Sequence, residues 1–154
     1  MDPRSVPSGS DWALERDGAL LLEGTVGATV SGCLFSRVET NAVFFSGFNR
    51  NGSVVFSEFA WLGQTAIAAW GRTDGPDGTG GEQPRLLLVE ANVARELGVT
   101  QKQSSFFVSA AACQNTVRAN LVYNVPRAAL CFLDRFGGAD VVERNLLFNT
   151  CRER

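Results

Sequence analysis

Five valines constrain what this chain can fold into more than any other feature: Val30, Val54, Val89, Val117 and Val142. Five residues after each stand Phe35, Phe59, Ala94, Val122 and Leu147. Eight residues after each stand Val38, Leu62, Leu97, Val125 and Thr150. Most copies close with a further apolar run, at 42–45, 66–69, 106–108 and 129–132. Successive copies start 24, 35, 28 and 25 residues apart. Self-similarity at a period in the twenties marks a solenoid, in which each repeat covers the apolar face of its neighbour. A helical repeat would need three- and four-residue spacing over about ten residues or more. Here the patches are short, alternate with a period of two and are rich in Val, Phe and Ile, which is strand behaviour.

The expected architecture is therefore all-β: a right-handed parallel β-helix of about five coils, each carrying three short strands. The stretch 53–70, SVVFSEFAWLGQTAIAAW, shows the unit most clearly. Ile67 is expected to point inward, between Val43 and a residue of the 106–108 strand. The chain divides into an N-terminal lead-in, residues 1–27, and the repeats, residues 28–154. The lead-in is rich in Pro and Ser and contains one short strand candidate, Ala19 to Leu22. The unequal spacings place the extra residues in loops. The largest insertion, 71–84 (GRTDGPDGTGGEQP), reads as an exposed loop, and a smaller one covers 98–105. Asn92, Asn120 and Asn145 share one repeat position, which Cys33 and Ser57 occupy in the earlier coils. Stacked inward, such amides would bond one another and the backbone. Ligand binding by these amides is the alternative, but a repeated solenoid position ordinarily serves stacking.

Composition excludes several functions. The chain has 154 residues, a net charge of −2 and no basic run, which gives no footing for nucleic acid or an anionic membrane surface. It has no His, so His-based metal sites and Ser-His or Cys-His catalytic pairs within this chain are out. The four cysteines, Cys33, Cys113, Cys131 and Cys151, form no CxxC. They read as small inner-face hydrophobes; a pair such as Cys131–Cys151 would form only in an oxidising compartment. No apolar h-region marks a signal peptide, and no apolar run reaches the length of a membrane span. Asn51-Gly52-Ser53 is both an Asn-Gly turn and a glycosylation acceptor pattern, and the turn is the favoured reading. Trp12 and Trp61 are expected to fill core or cap positions.

Coils such as TVRANLVYNVPRAALCF and VVERNLLFNTCRE resemble those of the right-handed parallel β-helix proteins of the pectate-lyase-like superfamily. The resemblance covers residues 28–154 and includes the stretches at 81–85, 102–106, 127–128, 136–138 and 149–153. It implies an extracellular protein and an extended glycan as ligand, with activities ranging from polysaccharide lyase or glycoside hydrolase to a non-catalytic structural or adhesive module. In proteins of this kind further coils follow, one with a His-containing stretch. The expectation is an incomplete β-helix whose open C-terminal end self-associates, since unpaired strand edges are templates for other chains.

Three sets of polar residues are candidates for chemistry. Trp70, Arg72, Asp74 and Asp77 cluster in the long insertion. Trp stacks on sugar faces, and Asp and Arg hold hydroxyls or uronate carboxylates. The plainer reading is a solvated loop with Trp70 capping the preceding strand. Lys102 and Arg127 fall at corresponding places in adjacent coils. A β-eliminating lyase needs a base and cations to hold the enolate; surface cations are the plainer reading. Asp134 precedes Phe136-Gly137-Gly138, and with Asp74 and Asp77 it could supply the two carboxylates a hydrolase requires; its plainer reading is a charged turn. A Ca²⁺ ion would draw on the same carboxylates, but no dense Asp cluster is present, and no cofactor is expected.

Overall fold

The computed structural model describes residues 15–133 and 136–151. Those residues form an all-β solenoid without a helix, built from three parallel sheets. Each coil lays one strand in each sheet. In the first coil these are β1 (Leu20–Val26), β2 (Thr29–Ser31) and β3 (Leu34–Ser36); in the second, β4 (Val43–Arg50), β5 (Ser53–Val55) and β6 (Glu58–Ala60). The third has β7 (Ile67–Trp70), a short β8 (Pro84–Arg85), β9 (Leu88–Glu90) and β10 (Val93–Arg95). The fourth has β11 (Phe107–Ala110), β12 (Thr116–Arg118) and β13 (Leu121–Tyr123). The fifth has β14 (Leu130–Phe132), β15 (Val141–Glu143) and β16 (Leu146–Phe148). The stacking orders are β1-β4-β7-β11-β14, β2-β5-β9-β12-β15 and β3-β6-β10-β13-β16, with β8 pairing β4 alongside. The first sheet thus begins at β1, within residues 1–27.

The register follows the valine ruler. Val30, Val54, Val89, Val117 and Val142 are consecutive partners in the second sheet. Phe35, Phe59, Ala94, Val122 and Leu147 are partners in the third. Ile67 is fully buried and pairs Val43 on one side and Phe107 on the other. The residues eight places after each Val turn inward too: Leu62, Leu97 and Val125 join the main core with Phe45, Phe59 and Phe106.

The repeat is bent at three corners per coil. Each corner is one residue in the left-handed region, three places before, two after and seven after the ruler valine. In the second coil these are Asn51 (φ 52°), Phe56 (φ 51°) and Trp61 (φ 57°). In the third they are Leu86, Ala91 and Glu96, and the same positions recur in the remaining coils. Most are not glycine, and that conformation costs L-residues roughly 1–2 kcal/mol. The stacked sheets on either side impose it.

The Asn column forms a continuous ladder. The Asn92 amide N–H donates to Asn120 Oδ1 at 3.0 Å, and the Asn120 N–H donates to Asn145 Oδ1 at 3.0 Å. Side-chain Nδ2 groups donate to Val54 O, Val89 O and Val117 O in the coil before. Ser57 and Cys33 extend it: Ser57 N donates to Asn92 Oδ1, and Cys33 N to Ser57 Oγ. A second ladder, in which Thr65 N donates to Asn41 Oδ1 and Ser105 N to Thr65 Oγ1, escapes notice in the sequence because its residue types differ between coils.

Candidate functional site

A cleft opens at the corner that carries Trp61. The chain leaves β6, turns through Trp61 and drives Leu62 into the core, which throws the indole outward. Trp61 is 45% exposed, so of the core or cap position that the sequence reading expected, the core is not where it lies. The left-handed corner places an outward side chain here in every coil, and coil stacking leaves no room for one inside. The next coil builds the wall. Residues 98–101 fold back over Leu62 and Gly63, with Val99 N donating to Leu62 O and Thr100 N and Gln101 N donating to Gly63 O. Gly63 must lack a side chain, because a Cβ there would collide with the carbonyl of Glu39 in the coil before. The result is a hollow of about 410 Å³ between Trp61 and Val99 on one side and Arg37 and Glu39 on the other. Across the indole lies a smaller one of about 70 Å³, bordered by Lys102, Asn124 and Pro126.

The indole therefore stands between two hollows along one corner column: Arg37, Trp61, Glu96, Asn124 and Asn149. Coils succeed one another at a strand spacing of about 4.8 Å, so the column presents side chains at near-regular steps. The Arg37 guanidinium has no hydrogen bond or ion pair among the described residues. Asn124 Nδ2 donates to Glu96 Oε1 at 2.5 Å, and Asn149 Nδ2 donates to Asn124 Oδ1.

Lys102 and Arg127 both serve the insertion that walls this cleft. Lys102 Nζ donates to Gly98 O at 3.1 Å and Val99 O at 2.9 Å. Arg127 Nη1 donates to Gln103 Oε1, beside Lys102 in the chain. The adjacency expected from the repeat is thus present through Gln103, and both cations are engaged in holding the loop.

The long insertion is exposed over most of its length, as its composition predicts. Asp74 and Asp77 exchange backbone hydrogen bonds at 3.0 Å, closing a tight turn. Asp77 Oδ1 accepts the Thr79 backbone N–H at 2.8 Å, and this bond with that from the Thr79 side chain holds the carboxyl below the usual carboxylate range. Arg72 Nη2 meets Glu23 Oε1 at 2.7 Å, on the surface. Trp70 is the exception: it is 5% exposed, packs near Phe44 and carries the Arg16 guanidinium 4.1 Å above its ring. Its faces are covered, so it caps its strand and offers no sugar platform. An open basin of about 710 Å³ joins Asp77 and Gln83 to Cys113 and Phe136, so the insertion meets the 136–138 segment in space. Asp134 lies outside the described residues, as does Trp12.

The described cysteines are free thiols, with Cys131 buried and Cys151 exposed. Among the described residues no group of three or more His, Cys, Asp or Glu side chains converges, and no helix is long and apolar enough to cross a membrane.

Arg37, Glu39 and Val99 were not singled out in the sequence reading, and Trp61 was assigned there to a core or cap position. A signal was available: seven places after each ruler valine stand Arg37, Trp61, Glu96, Asn124 and Asn149, all amphipathic or polar and flanked by inward positions. The fold defines a parallel β-solenoid. No family model, curated protein or solved structure matches the chain.

Proposed function

We propose that this β-solenoid is a glycan-binding module that holds an extended, hydroxyl-rich polymer along the corner column over Trp61, and that it does so without catalysis. The observation that carries the reading is the exposed indole with a hollow on each side. An aromatic face packs against the C–H face of a sugar ring, while neighbouring polar groups take its hydroxyls. Arg37, Glu39, Thr100 and Asn124 are placed for that second task. Arg37, uncommitted within the described protein, would favour polymers bearing carboxylates. The resemblance to pectate-lyase-like β-helices points to the same ligand class. Lys102 and Arg127 support binding over elimination chemistry, because each is committed to the loop it braces.

The test is calorimetric titration of the full chain with neutral and uronate polysaccharides, alongside tryptophan fluorescence. Binding should shift emission to the blue as the indole is covered. Trp61→Ala should weaken binding at least about tenfold, or ~1.4 kcal/mol. Trp70→Phe should leave it unchanged. Binding that survives Trp61→Ala would move the site elsewhere, and unsaturated product from a uronate polymer would replace the binding reading with a lyase.

A further inference from the structure

We propose that the basin beside the long insertion binds a small oxyanion, a carboxylate, sulfate or phosphate group, with the Arg85 guanidinium as its anchor. The site is separate from the Trp61 cleft: it opens at the corner three places before the ruler valine, where Gln114 and Ala139 stand, and not at the corner seven places after it. The strand register builds its floor. Arg50 pairs Arg85 across β4 and β8, and Arg85 in turn bridges to Cys113 of the fourth coil. Two arginines therefore occupy consecutive rungs, about 4.8 Å apart, where like charges repel. Elsewhere on the outer faces a cation meets a carboxylate of the neighbouring coil: Arg118 meets Glu90 at 2.9 Å, and Arg95 meets Glu58 at 2.9 Å.

Among the described residues no carboxylate forms an ion pair with Arg50 or Arg85. Arg50 is satisfied by neutral groups: it donates to the carbonyls of Asn49, Gly81 and Gln83 and so clamps the insertion. Burial, and after it the Arg85 charge, hold its pKa below the usual guanidinium range. Arg85 is left short. Its Nη2 donates to one neutral acceptor, Gln83 Oε1, at 3.2 Å, and its Nε–H has none. The Nε edge is closed to solvent, so an anion would meet the terminal Nη groups. The surroundings are built, not loose. Gln83 is buried, and its Nε2 donates to Gly78 O at 2.9 Å, which fixes the amide with Oε1 turned to Arg85. A Cβ on Gly78 would fall 2.6 Å from Gln83 Nε2 and 3.1 Å from the Phe136 ring, so the insertion closes on that ring only as glycine. Asp77 also borders the basin, but its Oδ1 is taken by the Thr79 N–H. A guanidinium without a counter-charge, with a second one on the rung behind it, thus faces an open basin of about 710 Å³. That space admits the anionic end of a larger molecule as well as a free ion. The planar fork matches two oxygens of a carboxylate, a sulfate or a phosphate.

The test is an NMR titration of the full, isotope-labelled chain with acetate, sulfate and phosphate, chloride holding the ionic strength constant. The backbone amides of Gly78 and Gly138 should shift and saturate. Arg85→Gln should weaken binding at least about tenfold. Cys113→Glu places a carboxylate on the rung beside Arg85 and so supplies the counter-charge from within. It should abolish the saturable shifts and raise the melting temperature, and it decides the matter if Arg85→Gln does not fold. Trp61→Ala should leave the titration unchanged. Saturation by acetate alone would name a carboxylate ligand, and saturation by sulfate or phosphate alone an ester of those acids; either supports the site. Shifts that rise linearly with every anion, or that persist in Arg85→Gln, would overturn the proposal. So would a folded Cys113→Glu variant that binds as the parent does. Loss of the shifts in Trp61→Ala would assign the anion to the other cleft and overturn it as well.

Discussion

Asn120 sits at the middle of the amide ladder, 2% exposed, and its removal tests the account of the core most directly. Its Oδ1 accepts both the backbone N–H and the Nδ2 of Asn92, each at 3.0 Å. Its Nδ2 donates to Val89 O at 3.0 Å and to Asn145 Oδ1 at 2.9 Å. Asn120→Ala leaves the Asn92 N–H without an acceptor where Asn92 is itself 1% exposed. An orphaned buried donor costs about 1–3 kcal/mol, and each further lost bond about 0.5–1.5 kcal/mol net. Asn92 Nδ2 keeps Val54 O as a partner, so its loss is small. The expected destabilisation is about 2–4 kcal/mol, read as a shift in urea midpoint by circular dichroism. Asn120→Asp should be at least as damaging at neutral pH, because a carboxylate cannot donate to Val89 O. Burial would raise that carboxyl's pKa above its unfolded value. The variant should therefore recover stability as pH falls and lose it as pH rises through the folded pKa. A double-mutant cycle of Asn92→Ala with Asn120→Ala should give a coupling of about 0.5–3 kcal/mol. A loss under about 0.5 kcal/mol for Asn120→Ala, or strict additivity in the cycle, would show that the ladder is not what satisfies the interior.

Ile67→Ala, at a fully buried rung between Val43 and Phe107, should cost about 2–5 kcal/mol by the same assay, and a loss under half of one would break the register. Phe56 is 68% exposed at a left-handed corner; Phe56→Gly should leave the melting temperature level or higher, while Phe56→Val should lower it, and the reverse order would refute strain at the corners. Deleting residues 74–82 should preserve the β-type dichroism although Arg50 Nη2 loses its bond to Gly81 O, since loop closure depends weakly on length; collapse of the spectrum would make the insertion structural. Asp77 should titrate below the ordinary carboxylate range by NMR, and its bond to Thr79 should loosen as pH falls through that lowered pKa, seen as faster proteolysis of the loop at acid pH; an ordinary titration would show that the turn is not held this way.

The repeat, the strand type and the pairing register were legible in the sequence, because a stacked coil must place like residues at like positions. Val30 through Val142 had to be apolar on one ladder, and Asn92, Asn120 and Asn145 had to be amides on another, so spacing alone revealed both. The corners were hidden. Phe56, Leu86 and Trp61 carry no local preference for positive φ, and only two stacked neighbours force them into it. For that reason Trp61 read as a core or cap residue, while Trp70, beside a Gly-rich insertion, read as a strand cap with sugar stacking as the alternative. Trp70 became buried because Arg16, 54 residues away, reaches across to bond its carbonyl and cover its ring. Trp61 came to border a cleft because residues 98–101 of the next coil fold back onto Leu62 and Gly63. Sequence determined which residues ride on which ladder, since that is a matter of period. Tertiary structure decided which outward residues meet across coils, since that depends on where each insertion folds, and no period records it.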